Sequence, residues 1–133
     1  MINPDYSNLN KVRIGNPCKS FLKHEIIKLI LTCLILEKHK KEKLYCHVYT
    51  ELPIVNGERT KKTDLLFLDI RKKSAYSFEI QKKIDDSWNK EINEFYKDWD
   101  YPMMNNSDLI IIKLKDLSDD IPTLIKQLEE FII

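Results

Sequence analysis

Glycine is nearly missing from this chain of 133 residues, with two in all, and there are only five prolines. So few leave little room for flexible linkers or low-complexity tracts, and no internal repeat is visible. Cysteine is scarce as well. Cys18, Cys33 and Cys46 are odd in number and form no CxxC pair, which argues against a disulfide framework or a zinc knuckle. The neighbours Cys46 and His47 point to opposite faces of a strand and so do not share a metal. The longest apolar run, 26–36, contains Lys28 and Thr32 and is too short and too polar to span a bilayer. The first residues, Met1-Ile2-Asn3-Pro4-Asp5, lack the basic and apolar regions of a signal peptide, so an intracellular, cytoplasmic location is expected. Net charge is only +1, which by itself says nothing about nucleic acid.

A hydrophobic content of 43% and a charged content of 32% are those of a soluble globular protein. The length suits one domain over 1–133: an N-terminal arm at 1–18, a core over about 20–115, and a C-terminal helix near 119–131. Charge is unevenly spread. Residues 1–84 hold 17 Lys and Arg against 9 Asp and Glu, a balance of +8; residues 85–133 hold 5 against 12, a balance of −7. Basic clusters fall at 38–43, 59–62, 71–73 and 82–83. Such asymmetry fits a face that meets phosphates with an acidic half behind it. It equally fits lysine-rich turns that keep sheet edges soluble.

Taken in order, Ser20 is a candidate N-cap for a helix over about 21–40. Leu22, Ile26, Leu29, Ile30, Cys33 and Leu36 recur at helical spacing as its buried stripe, with Glu25 on the edge of that stripe. His24 is expected to face solvent or phosphate. Residues 44–51 alternate as a strand that Pro53 ends, and Asn56-Gly57 signals a turn in a charged ribbon over 51–62. After a central hairpin, Ile84, Trp88, Ile92, Phe95 and Trp99 mark a second helix. Residues 109–114 read as a buried strand. Ser118 and Pro122 open a last helix with Ile121, Leu124, Ile125, Leu128 and Phe131 inward. The expected fold is α/β, a mixed four-stranded sheet flanked by helices in the order αβββαβα, with the fourth strand parallel to the third.

The hairpin organises the rest. Runs at 65–70 and 75–80 flank the polar turn Arg71-Lys72-Lys73-Ser74. On the second strand Ala75, Ser77, Glu79 and Gln81 share one face, and Tyr76, Phe78 and Ile80 the other. A turn symmetric about Lys72 and Lys73 sets Asp64 opposite Gln81 and diagonal to Glu79, close enough for both carboxylates to hold one metal ion. Asp69, opposite Tyr76, is on the wrong face. Two converging acids repel unless a cation neutralises them, and oxygen ligands suit magnesium or manganese. The plainer alternative is that Asp64 caps a strand end and Glu79 pairs with a lysine.

This layout, with an acid in the first helix, Asp64 on the second strand and Glu79-Ile80-Gln81 on the third, resembles the PD-(D/E)xK nuclease superfamily and its restriction-endonuclease-like fold. The resemblance covers roughly residues 20–115. In size and spacing it is similar to the small archaeal Holliday-junction resolvases. It implies that Asp64, Glu79 and the carbonyl of Ile80 bind Mg2+ or Mn2+, with Glu25 or Glu51 as a further acid. Thr63 stands where the family often has proline. Gln81 departs from the family's usual lysine; it can orient a water but carries no charge, leaving Lys83 or Lys28 to supply the cation. Arg59, Lys61, Lys62, Lys82 and Lys83 would meet DNA. The function so implied is a metal-dependent endonuclease, its specificity for DNA structure left open, with Glu25, Asp64, Glu79 and Gln81 as catalytic residues. The alternative is a non-catalytic DNA-binding or assembly module of the same fold. A homodimer is expected, through a second helix stripe (Ile27, Leu31, Ile35) or the terminal Phe131-Ile132-Ile133.

Overall fold

The computed structural model describes residues 22–81 and 85–132. Helix α1 (Leu22–Lys38) and a 3₁₀ segment (Lys40–Tyr45) lead into strands β1 (Cys46–Asn56), β2 (Arg59–Asp69) and β3 (Ser74–Gln81). Helix α2 (Asp86–Tyr96), strand β4 (Asn106–Lys113), a 3₁₀ turn (Leu114–Asp116) and helix α3 (Ile121–Glu129) follow. The strands form one sheet in the order β1-β2-β3-β4. The first two pairings are antiparallel and β3–β4 is parallel. The protein is thus α/β with the expected mixed four-stranded sheet. The expected arm, the Ser20 cap, and Lys82, Lys83 and Ile84 lie outside the described residues.

Each face of the sheet buries its own apolar cluster. On one, Leu65, Phe67, Tyr76, Phe78, Ile80 and Ile112 meet Ile27, Leu31 and Ile35 of α1 and Leu124 and Leu128 of α3. On the other, Leu66, Leu68 and Ala75 meet Ile92, Phe95 and Tyr96 of α2, with Trp99. Asp85 caps α2 by accepting the Trp88 N–H, as a first-turn acid should. Asp120, rather than Ser118, caps α3, and Ile121 points outward.

Helix α1 corrects the predicted stripe. Leu22 and Leu29 are 47% and 41% exposed and Cys33 is exposed, while Ile27, Leu31 and Ile35 face the sheet with Glu25, Lys28 and Thr32. The helix is apolar on most of its circumference, so spacing alone does not select a face. The sheet takes the Ile27 side, and α3 packs along another, against which Ile26, Ile30 and Leu34 are partly buried. Ile27, Leu31 and Ile35 therefore belong to the core and are not a dimer surface. Phe131 and Ile132 also pack on the core; Ile133 lies outside the described residues.

Two strand predictions change as well. Strand β1 runs through Pro53, which pairs with Lys62; β1 is an edge strand, where a missing N–H costs no ladder bond. The ribbon closes at Gly57, whose φ of 65° suits glycine. The β2–β3 turn spans residues 70–73, not 71–74. Asp69 is drawn into it, its Oδ1 accepting the Lys72 N–H at 3.1 Å, and Lys73 adopts a left-handed φ of 51°. Asp69 pairs with Ser74 and Leu65 with Phe78. Continuing that register sets Asp64 level with Glu79, one step from the expected partner Gln81.

Candidate functional site

Thr50 pairs with Leu65 and Leu52 with Thr63, and between these pairs the alternation slips in both strands. Cys46 and Val48 lie on the α1 side, but Leu52 and Ile54 lie on the α2 side. Glu51, at φ 53°, makes the switch. On β2, Thr63 bonds Ser77 on the α2 side while Leu65 joins the α1 cluster, so the slip falls at Asp64. Freed from the pleat, Asp64 leans toward β3, and its Oδ2 accepts the Ile80 N–H at 2.7 Å. The side chain thereby takes up a backbone donor for which the slipped strand presents no carbonyl.

Glu79 is only 3% exposed. Its Oε1 accepts a 2.6 Å hydrogen bond from Tyr96 of α2, and its Oε2 lies 3.6 Å from Lys61 Nζ. Thr63, Ser77 and Tyr96 form a buried hydroxyl relay ending on that carboxylate, with O···O distances of 2.6 and 2.7 Å. Burial first, and the neighbouring charge of Asp64 second, push the Glu79 carboxyl up to about 7. Burial and the same carboxylate raise Tyr96, so it remains a phenol that donates.

Helix α1 delivers three more groups. His24 Nε2 is 3.3 Å from Asp64 Oδ1 and its Nδ1 is 3.4 Å from Glu25 Oε1. Burial opposes charge on this imidazole, but its bond to Asp64 and the charges of Asp64 and Glu25 outweigh burial and raise its pKa. Lys28, 1% exposed, sets its Nζ 2.7 Å from Glu25 Oε2 and 3.5 Å from Glu51 Oε1.

The structure thus brings together Asp64, Glu79 and the Ile80 backbone. Gln81 is partly exposed one step along the Glu79 face. His24 lies between Glu25 and Asp64, and both candidate third acids, Glu25 and Glu51, are held by Lys28. Lys28 is consequently engaged in an ion cluster with Glu25 and Glu51, and Lys83 is outside the described residues. The cation that reaches Glu79 is Lys61, which the sequence suggested only for DNA contact. Arg59 is exposed near the ribbon turn, and Lys62 is exposed on the same strand. His24 faces Asp64 and not solvent, a correction that follows from the rotation of α1. The acidic half is split between the two faces of the sheet, with α2 covering the Glu79 face and α3 packing on the other. Tyr96 went unread in the sequence. The signal for Tyr96 was there: it is a hydroxyl-bearing side chain on the inward face made by Ile92, Phe95 and Trp99.

Among the described residues no group of three or more His, Cys, Asp or Glu side chains is arranged to hold a metal. The buried Glu79 and the partly exposed Asp64 still suit magnesium, which commonly takes one or two carboxylates and completes its shell with water and phosphate oxygens. His24 and Lys61, at 3.3 and 3.6 Å, are the contacts such an ion would displace. Also among the described residues, no helix is long and apolar enough to cross a membrane. Comparison with family models, curated proteins and solved structures finds no match for this chain.

Proposed function

We propose that the protein is a divalent-metal-dependent nuclease that hydrolyses DNA phosphodiester bonds, with a restriction-endonuclease-like arrangement of the PD-(D/E)xK kind. The observation that carries this reading is the adjacency of Asp64 and Glu79, with Glu79 almost fully buried and its carboxyl raised to about 7 by burial and by Asp64. Such a pair is unfavourable in an empty site and is relieved by a cation. Asp64, Glu79 and the Ile80 carbonyl would hold Mg2+ or Mn2+. When bound, the ion supplies Lewis-acid polarisation of the phosphate and a more acidic water. Tyr96 fixes the rotamer of Glu79 through its hydroxyl. Lys61 replaces the lysine that Gln81 lacks, putting positive charge where the phosphate gains negative charge. Gln81, at the mouth, orients a water through its amide.

A second reading, a non-catalytic DNA-binding or assembly module, has its own support. Every oxygen of the acid pair already has a protein donor or cation close by: His24, the Ile80 N–H, Tyr96 and Lys61. One experiment separates the two. The parent, Asp64→Ala and Glu79→Ala are incubated with magnesium or manganese and with linear duplex, single-stranded and four-way-junction DNA. The nuclease reading expects cleavage by the parent, none by the variants, and DNA binding retained by all three. Cleavage by the variants at the parent rate overturns the assignment of this site. Binding without cleavage by any of them selects the module.

A further inference from the structure

A cleft of about 630 Å³ opens between the turn end of the β1–β2 ribbon and α2. Arg59 and Lys61 wall it from the strand side, and Trp88, Ile92, Phe95 and two acids, Glu91 and Glu94, from the helix side. That volume lies within the range of small-ligand sites. Ile92 and Phe95 are buried, which makes a firm apolar floor, and the Trp88 indole is partly exposed above it. Lys61 belongs to both places: it lines the cleft and its Nζ lies 3.6 Å from Glu79. Lys61 thus links the acid pair to this cleft.

The lining is chemically mixed in a way that narrows the occupant. Two cations on one wall suit phosphate oxygens. An exposed indole on a rigid floor offers a face for stacking. Glu91 on the opposite wall can only accept hydrogen bonds when ionised, which suits an exocyclic amino group such as that of cytosine. Phosphate, ring and amino edge together are the parts of a nucleotide. In a duplex the base faces are covered by their neighbours, so only an unpaired base can stack on Trp88.

We propose that this cleft takes the base of an unpaired nucleotide next to the phosphate at the acid pair, making single-stranded or branched DNA the substrate class. The proposal rests on the nuclease reading for its substrate, but the cleft is tested without catalysis. Labelled oligodeoxycytidylate, oligothymidylate of the same length and a blunt duplex are titrated in chelator by fluorescence anisotropy. The single strands should bind more tightly than the duplex. Trp88→Leu should weaken single-strand binding roughly tenfold and leave duplex binding unchanged. Glu91→Gln should narrow the preference for cytosine over thymine, and Arg59→Glu should weaken both strands.

Trp88 packs against the α2 cluster, so the exposed Glu91 and Arg59 variants carry the test if Trp88→Leu does not fold. Equal affinity for duplex and single strand, or single-strand binding unchanged across the folded variants, overturns the cleft. If the variants lose single-strand preference while no DNA is cut with magnesium or manganese, the cleft stands and the nuclease reading falls. If DNA is cut and no variant alters binding, the nuclease stands and the cleft falls.

Discussion

At the scale of the residue, the chemistry of this protein depends on how little water reaches Glu79. An exposed glutamate titrates near 4.5; this one is pushed up to about 7 by burial and by Asp64, against the help of Tyr96 and Lys61. The folded chain therefore holds the proton more tightly than the unfolded chain. Both forms are protonated below about 4.5 and both are ionised above about 7, so metal-free stability falls as pH rises between those values. The loss is at most on the order of 3 kcal/mol. Glu79→Gln keeps the shape and removes the titration. Urea unfolding in chelator near pH 4.5 and near pH 8 should show the parent losing stability across the interval and the variant losing much less. An equal loss in both would mean that Glu79 is not the titrating group. The acid itself was legible from its place in Glu79-Ile80-Gln81. Its burial was not, because burial comes from Tyr96, 17 positions away.

At the scale of the element, the site depends on a fault in two strands. Glu51 sits at φ 53°, opposite Asp64, where the faces of β1 and β2 exchange. A non-glycine residue in the left-handed region costs about 1 kcal/mol or more relative to glycine. Glu51→Gly and Glu51→Ala both lose the side chain near Lys28, so the difference between them isolates the backbone. The glycine variant should be more stable than the alanine variant by about 1 kcal/mol, measured by chemical denaturation. Equal stability would mean that Glu51 is not strained in solution. A period-of-two reading of β1 and β2 cannot find such a slip, because it assumes unbroken alternation. The β2–β3 register was missed for a related reason. The sequence pattern puts Asp69 inside a strand running to Ile70, yet it ends the strand and its carboxylate is bound to the turn at Lys72.

At the scale of the whole molecule, the basic surplus of the first half is split by folding. Lys28 is sealed against Glu25 and Glu51, and Arg71 pairs with Glu42. Arg59, Lys61 and Lys62 remain near the site, although Glu91 and Glu94 share the cleft with the first two. With three cations meeting phosphates, DNA affinity should fall roughly 20- to 40-fold between about 0.05 and 0.2 M salt. The triple substitution of these residues by glutamine should flatten that dependence, as read by anisotropy at several salt concentrations. A salt-independent affinity would argue against a phosphate-binding face.

The sequence by itself determined the kind and order of the elements and the separation of Ala75, Ser77 and Glu79 from Tyr76, Phe78 and Ile80. These are local matters, set by the periods of helix and strand and by punctuation such as Asn56-Gly57. Only the tertiary structure decided which face of α1 meets the sheet, since a helix apolar all round takes whichever side its partners leave. It also decided that His24 meets Asp64 and that Lys61 reaches Glu79. The covering of Glu79 by α2 belongs with these. Each joins side chains far apart in the chain, and their meeting is set by register, by the slip at Glu51 and Asp64, and by the return of the chain across the sheet.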